Sequence, residues 1–431
     1  MQPQSSIHPP KEWRRLLASV LGVHALGHLL NGLAAFLVVW LLPRDQYAWF
    51  TFAAAVMAVL QVLTDGGVTS AVLAAGGDAW QSRQRLSALA EAGFQVNRVL
   101  TSIVVLSAIP ILAWMMVRQG GDWGLIVSIL CLCLIPQWAA NRAQIQLVVC
   151  KLKSRIADVQ AAELTLAATR LALTLALWLL GFAEAAWALA AVSASLILQS
   201  WLVQTRTKGL FSTQNAPPEL ASFRRQIYQT VSHLYPGALF TCLQAHLAVW
   251  LLSFMGRNGE LADIGALTRL GFFVNLAGAP LVTLAAPAFA RSQNAVRLRS
   301  LFWMTLAGSA AFMLPLVIIA ALRPGWILGL LGGGYVHLYQ ELLIVAVGFM
   351  LAALANVCSN LNLARGWTRY FWLSVPFSVV AQLGVVFTVD LGTLAGMAWL
   401  GFALAAANLL FHGLLMLVSL FQMPLSAESE P

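Results

Sequence analysis

The sequence predicts an all-α integral membrane protein of about twelve transmembrane helices, and three observations carry that reading. Of 431 residues, 60% are hydrophobic and only 10% charged, with a mean hydropathy of +0.79, where an ordinary soluble domain carries about 25% charge. Apolar runs of spanning length, about 20 residues, recur between charged or Gly/Pro-containing turns. Basic residues crowd into alternate turns. The composition excludes a soluble enzyme, a disordered chain and a nucleic-acid-binding module. The net charge of +9 is therefore read as basic residues retained on cytoplasmic loops, with no nucleic-acid partner expected.

The expected spans, in order, are 16–41, 49–75, 97–117, 124–149, 157–181, 186–204, 231–256, 264–290, 301–322, 338–362, 370–389 and 393–421. The first follows Lys11, Arg14 and Arg15 as a signal peptide would. It is too long for a signal core and has no small-residue cleavage site before Pro43-Arg44-Asp45, so it is kept as an uncleaved span. With the N-terminus inside, the basic residues divide 18 to 4 between inner and outer segments, and Arg142, Arg170 and Arg269 fall within spans. That split supports both the span count and cytoplasmic termini. The connection 205–230, with Asn215-Ala216-Pro217-Pro218-Glu219, is expected to link a six-helix lobe, 1–204, to a second, 231–421, before a cytoplasmic tail, 422–431. Equal orientation of the halves implies a pseudo-two-fold axis along the membrane normal. Gly332-Gly333-Gly334 lacks the Gly-Lys-Ser/Thr ending of a phosphate loop and reads as a flexible outer turn. The five cysteines form no CxxC pair and are read as small core residues, so neither disulfides nor a metal is expected.

Polar residues inside spans are costly and ask for partners or a water-filled cavity. His24, His28 and Asn31 share a stripe of the first span. Gln137, Asn141 and Gln144 do so on the fourth, beside Arg142. Glu163 and Arg170 share a face of the fifth, and His233 and Gln244 a face of the seventh. Asn356 and Asn360 lie on the tenth. Arg269 sits near the outer end of the eighth, within reach of Asp263 or Glu260. Asp65, before Gly66-Gly67, reads as a cap or turn residue, and Glu163 as a charge partner for Arg142 or Arg170. Any one of these residues taken alone is as well explained by helix–helix hydrogen bonding. Clustering on five spans points instead to a shared aqueous cavity, and its basic balance favours an anionic or neutral polar cargo. Helix-interrupting prolines, among them Pro110, Pro136, Pro236 and Pro315, are tolerated in such bundles.

Leu42-Pro43-Arg44-Asp45-Gln46-Tyr47-Ala48 followed by Leu63-Thr64-Asp65-Gly66-Gly67 resembles a turn and late-second-helix pattern of the polysaccharide flippases. These belong to the multidrug/oligosaccharidyl-lipid/polysaccharide (MOP) exporter superfamily. Ile264–Arg269 with Ala286-Pro287-Ala288 is similar to the family's eighth-helix pattern, and Ile327–Tyr335, Leu342–Val345 and Leu363–Gly366 to its ninth-to-eleventh-helix region. Ala48 and Gly66 depart from the family's usual Gly and Leu. The resemblance implies a V-shaped pair of lobes around a central cavity. It also implies outward movement of a polyprenyl-diphosphate-linked oligosaccharide across a bacterial inner membrane.

On that reading the chain is a flippase, not an enzyme, and uses no cofactor. Arg142 and Arg170 meet the diphosphate, with Arg269 as a further contact. His24, His28, Asn31, Asn141, His233, Gln244, Asn356 and Asn360 meet sugar hydroxyls, and Glu163 and Asp65 serve charge pairing. The expected partners are the lipid-linked oligosaccharide, membrane lipid, and a glycan polymerase or other assembly proteins. Two alternatives stand beside it. A cation-coupled multidrug exporter of the same superfamily needs cavity carboxylates, for which Asp65 and Glu163 are the candidates. A membrane glycan polymerase or ligase needs a large outer loop, and every outer turn is short.

Overall fold

The computed structural model describes residues 11–79, 82–153, 155–211, 219–274, 285, 289, 294–365, 367 and 370–422. Among them the chain is helical with no strand, as lipid demands of a spanning backbone that must satisfy its own N–H and C=O groups. It is a multi-pass membrane protein. Nine helices are long and apolar enough to cross, and a bent pair makes a tenth. The expected first span contributes a shorter apolar helix, Ala25–Leu41, and the expected eighth runs beyond Val274, outside the described residues.

The helices of the first compact unit are α1 (Lys11–Leu41), α2 (Arg44–Asp65), α3 (Val68–Ala79), α4 (Arg83–Arg118), α5 (Trp123–Leu152), α6 (Ile156–Leu180), α7 (Ala185–Thr207) and α8 (Leu220–Ala245). Ser82 and Asp122 cap α4 and α5 by accepting from Arg85 N and Leu125 N, which supplies acceptors for otherwise orphaned donors. α1 packs on α6, α5 on α7 and α4, and α8 on α3 and α4. The compact units divide between Leu247 and Ala248, whereas the sequence places the division in the connection 205–230. The physical reason is the stripe Phe223, Ile227, Val231, spaced i, i+4, i+8. It is buried in one cluster with Val68, Val72, Leu89, Val96 and Ile145, so α8 belongs to the first unit.

The expected second span, 49–75, is two helices. α2 stops at Asp65, where Gly66 (φ +53°) and Gly67 (φ +93°) take left-handed conformations that other residues reach only at a cost. A Cβ on Gly66 would stand 2.6 Å from Leu100 Cδ2 and 2.8 Å from Tyr235 Cδ2, and one on Gly67 2.9 Å from Leu234 Cδ1. The notch thus admits side chains of both α4 and α8.

The second unit holds α9 (Leu247–Phe254) from Ala248 on, α10 (Asn258–Thr268), α11 (Ala295–Leu322), α12 (Pro324–Leu331), α13 (Tyr339–Ala364), α14 (Ser374–Thr388) and α15 (Leu394–Phe421). α13 packs on α15 and α11, and α14 on α15. The turn around Gly332-Gly333-Gly334 includes a short 3-10 element. α12 buries Ile327, Leu328 and Leu331, and Gly333–Tyr335 forms a 3-10 turn that buries Tyr335. No disulfide joins the five cysteines. Four of them are buried, and Cys131 is exposed.

Exposed tryptophans mark one membrane face of the first unit. Trp40, Trp114, Trp123, Trp178 and Trp187 all lie near the helix ends that meet at the turns 42–43, 119–122 and 181–184, and each is 46–70% exposed. Such belts sit at headgroup level. A hydrocarbon layer of about 30 Å is crossed in about 20 helical residues. Counted from the belt, the layer ends near Phe94–Arg98 on α4 and near Arg142 on α5. The first third of α4 and the end of α5 therefore project beyond it, on the face that carries most of the basic residues.

Candidate functional site

Two residues from the expected stripes meet in the first unit. Arg170 Nη1 donates to Asn31 Oδ1 at 3.3 Å, and Asn31 Nδ2 donates to Gly27 O at 3.0 Å. Arg170 lies about 12 Å along α6 from Trp178, and Asn31 about 13 Å along α1 from Trp40, both near mid-membrane. Both side chains are partly exposed. The packing of α1 on α6 brings the stripes together. His28, one turn from Asn31, and Glu163, two turns from Arg170, are also partly buried. The side chain of His24 lies outside the described residues. The arrangement places a guanidinium at mid-membrane, with the amide of Asn31 among its partners.

Other candidates go elsewhere. Asn141 is buried in helix packing: its Nδ2 donates to Thr101 Oγ1 at 3.0 Å, Thr101 Oγ1 to Asn97 Oδ1 at 3.3 Å, and Asn97 Nδ2 to Thr64 O at 2.8 Å. Asn141 therefore ties α5 to α4 and the end of α2, and does not present its amide to a polar surface. Gln137 is likewise buried, donating to Cys133 O at 3.1 Å. The pairing Asn97/Thr101, one turn apart in an apolar helix, was the missed signal of this network.

Asp65 serves the turn, and among the described residues it makes no ion pair. Its Oδ2 accepts from Gly67 N at 3.1 Å and Thr69 Oγ1 at 3.0 Å, and its Oδ1 from Thr69 N at 3.1 Å. It thus caps α3, as its place before two glycines implies, and the expected charge-pairing role is corrected.

Arg142 is exposed, with its guanidinium carbon 5.1 Å from the ring centre of Phe94. By the belt count it sits at the edge of the hydrocarbon, far from the level of Arg170. His233 is exposed, its Nδ1 2.6 Å from Gln229 O. Gln244 is partly buried, and its Nε2 has no partner among the described residues.

In the second unit, Asn356 and Asn360 are exposed, and Asn360 Nδ2 donates to Asn356 O at 2.8 Å. Arg269 is partly buried in a 3-10 turn after α10. Of its expected acidic neighbours, Glu260 pairs with Arg257 at 3.2 Å and Asp263 with His337 at 3.2 Å. Among the described residues no group of three His, Cys, Asp or Glu side chains is placed to hold a metal.

No protein-family model matches the sequence, and no curated protein matches it. Solved structures match over nearly the whole chain. An inward-facing multidrug resistance MATE family transporter of the MOP superfamily is 15% identical, with a TM-score of 0.63 over 93% of this chain and 96% of that one. The MATE multidrug transporter DinF-BH, solved as a ligand complex, is 15% identical, with a TM-score of 0.64 over 99% of this chain and 100% of that one. A MOP superfamily transporter from Pyrococcus furiosus, described as having a binding pocket of reverse polarity, is 14% identical, with a TM-score of 0.61 over 94% of each chain. At these identities the likeness establishes the fold: the chain has the all-helical fold of the MATE transporters of the MOP superfamily.

Proposed function

We propose that the chain is a transporter that works by alternating access and that its cargo is an anionic amphiphile. The finer reading is a polyprenyl-diphosphate-linked oligosaccharide, a polysaccharide repeat unit moved from the inner to the outer leaflet of a bacterial inner membrane. The observation that carries it is Arg170, a partly exposed guanidinium at mid-membrane that donates to the neutral amide of Asn31. A planar guanidinium fits phosphate oxygens in pairs. His28 and the amide of Asn31 would meet sugar hydroxyls, while the prenyl tail stays in lipid. No covalent bond changes, so the chain acts as a carrier, and a glycan polymerase remains a natural partner.

A second reading is a cation-coupled multidrug exporter. On fold alone it has the better support, because the solved structures of similar fold are described as multidrug transporters. The residues argue against it in the first unit: Asp65 is committed to its turn, which leaves Glu163 as the acid within that unit's spans. The Pyrococcus furiosus transporter, with its reversed pocket polarity, indicates that this fold does not dictate the sign of the cargo.

Proteoliposomes containing the full chain separate the two. A fluorescent polyprenyl-diphosphate sugar should become accessible to an impermeant quencher across the bilayer, and a cationic dye under an imposed proton or sodium gradient should not accumulate. Dye transport without movement of the prenyl-linked sugar would establish the second reading.

A further inference from the structure

At the level where the hydrocarbon ends on the basic face, the first unit places four arginines in two different settings. Just before α6 and on α7, Arg155 and Arg206 both pair with Asp158. On α4 and α5, Arg98 and Arg142 are exposed, and among the described residues neither makes an ion pair. Arg142 lies one turn beyond Trp138, which is 40% exposed, the order expected where an interfacial aromatic gives way to headgroups. Its guanidinium rests on the Phe94 ring at 5.1 Å. Arg98 follows Phe94 by one helical turn, on the same stripe. The acid nearest in sequence, Glu91, accepts from Gln95 Nε2 at 3.3 Å.

We propose that Arg142, which rests on Phe94, and Arg98, one helical turn after Phe94 on the same stripe of α4, form a binding site for the phosphate of an anionic phospholipid in the leaflet at the basic face. The site lies at headgroup depth, a leaflet's thickness from Arg170, so the proposal is independent of the cargo. Two uncompensated guanidiniums at that depth are complementary to a phosphodiester. The Phe94 ring sits beneath the Arg142 guanidinium carbon, which leaves the N–H groups pointing away from the ring available. Arg155 and Arg206 have their charge partly answered by Asp158 and are weaker candidates.

The test is native mass spectrometry of the full chain in detergent, titrated with phosphatidylglycerol or phosphatidylcholine. The wild type should retain phosphatidylglycerol in preference to phosphatidylcholine. Arg98→Gln and Arg142→Gln should each weaken retention about five-fold, the equivalent of about 1 kcal/mol per basic residue near an anionic surface. Arg142→Lys should keep part of it. Arg224→Gln, at an exposed arginine on α8, is the control and should leave retention unchanged. If a glutamine variant fails to fold, the lysine variants carry the comparison, with phosphatidylglycerol retention reduced but measurable. Equal retention in wild type, Arg98→Gln and Arg142→Gln would overturn the proposal. So would displacement of phosphatidylglycerol by an equimolar polyprenyl phosphate through the same two arginines, which would make the site a cargo entrance.

Discussion

Arg170 and Arg142 look alike in the sequence, each a lone arginine in an apolar run, and the structure separates them by depth and by partner. Arg170 is near mid-membrane on Asn31; Arg142 is at the boundary on Phe94. The mid-membrane pair supports a prediction with two distinct outcomes. If Arg170 meets an anionic group, Asn31→Asp neutralises it and should abolish transport while abundance stays normal or rises. Arg170→Ala should also abolish transport, and Arg170→Lys should restore only part. If Arg170 only joins α1 to α6, Asn31→Asp strengthens the pair and transport persists. Transport in the Asn31→Asp variant, measured on protein at wild-type abundance, refutes the cargo role. Each of the two stripes was legible because it follows helical spacing. Their pairing was not, since spacing within one helix does not say which helix lies opposite. For the same reason Gln137 and Asn141 read as cavity-facing, whereas both are buried in helix packing.

At the scale of elements, the break between α2 and α3 is the feature most at odds with an uninterrupted span, and its parts are mutually dependent. Gly66 and Gly67 supply left-handed backbone, Asp65 caps the helix that follows, and the Asn97 amide satisfies Thr64 O. Gly66→Ala should lower the thermal stability of the detergent-solubilised protein by about 2 kcal/mol, combining a left-handed penalty with displacement of Leu100 and Tyr235. A loss below about 0.5 kcal/mol would mean the notch closes without strain. Asn97→Ala should cost about 1–3 kcal/mol by leaving a buried carbonyl unpaired. Because Asn97 and Asn141 share Thr101, Asn97→Ala combined with Asn141→Ala should cost less than the sum of the two; strict additivity of the unfolding midpoints would show that the network is not a unit. Hydropathy carried the second span straight through Gly66 because the two glycines are neutral to it. The local cues were the Asp65-Gly66-Gly67 sequence itself. What the sequence did not reveal was that α8 fills the notch, a contact spanning more than half the first unit's length.

At the scale of the whole chain, helix class and most span positions were legible, since apolar length and charge punctuation are local properties. The unit boundary was not. The Pro-containing connection 205–230 reads as a natural divide, yet the apolar stripe of α8 is buried against α3 and α4, so the covalent linker and the packing boundary at Leu247 do not coincide. Orientation is the remaining global property, and it rests on the distribution of basic residues. Basic residues favour the face reached by the start of α4 and α8. The tryptophan belt marks the level of the opposite interface but not its side, because aromatic belts form at both interfaces. On the basic-residue rule the turn 119–122 is expected outside and the start of α8 inside. In a background lacking the five native cysteines, Gly120→Cys in that turn should react with a membrane-impermeant maleimide added to intact cells. Arg224→Cys, exposed near the start of α8, should react only after permeabilisation. Gly120 is at φ +81° with open space around it, so its substitution strains one turn residue without a collision. A second probe at Trp123, which is 70% exposed, guards against a folding defect. Labelling of Arg224→Cys in intact cells with Gly120→Cys and Trp123→Cys silent would invert the topology, and with it the direction in which Arg170 is reached.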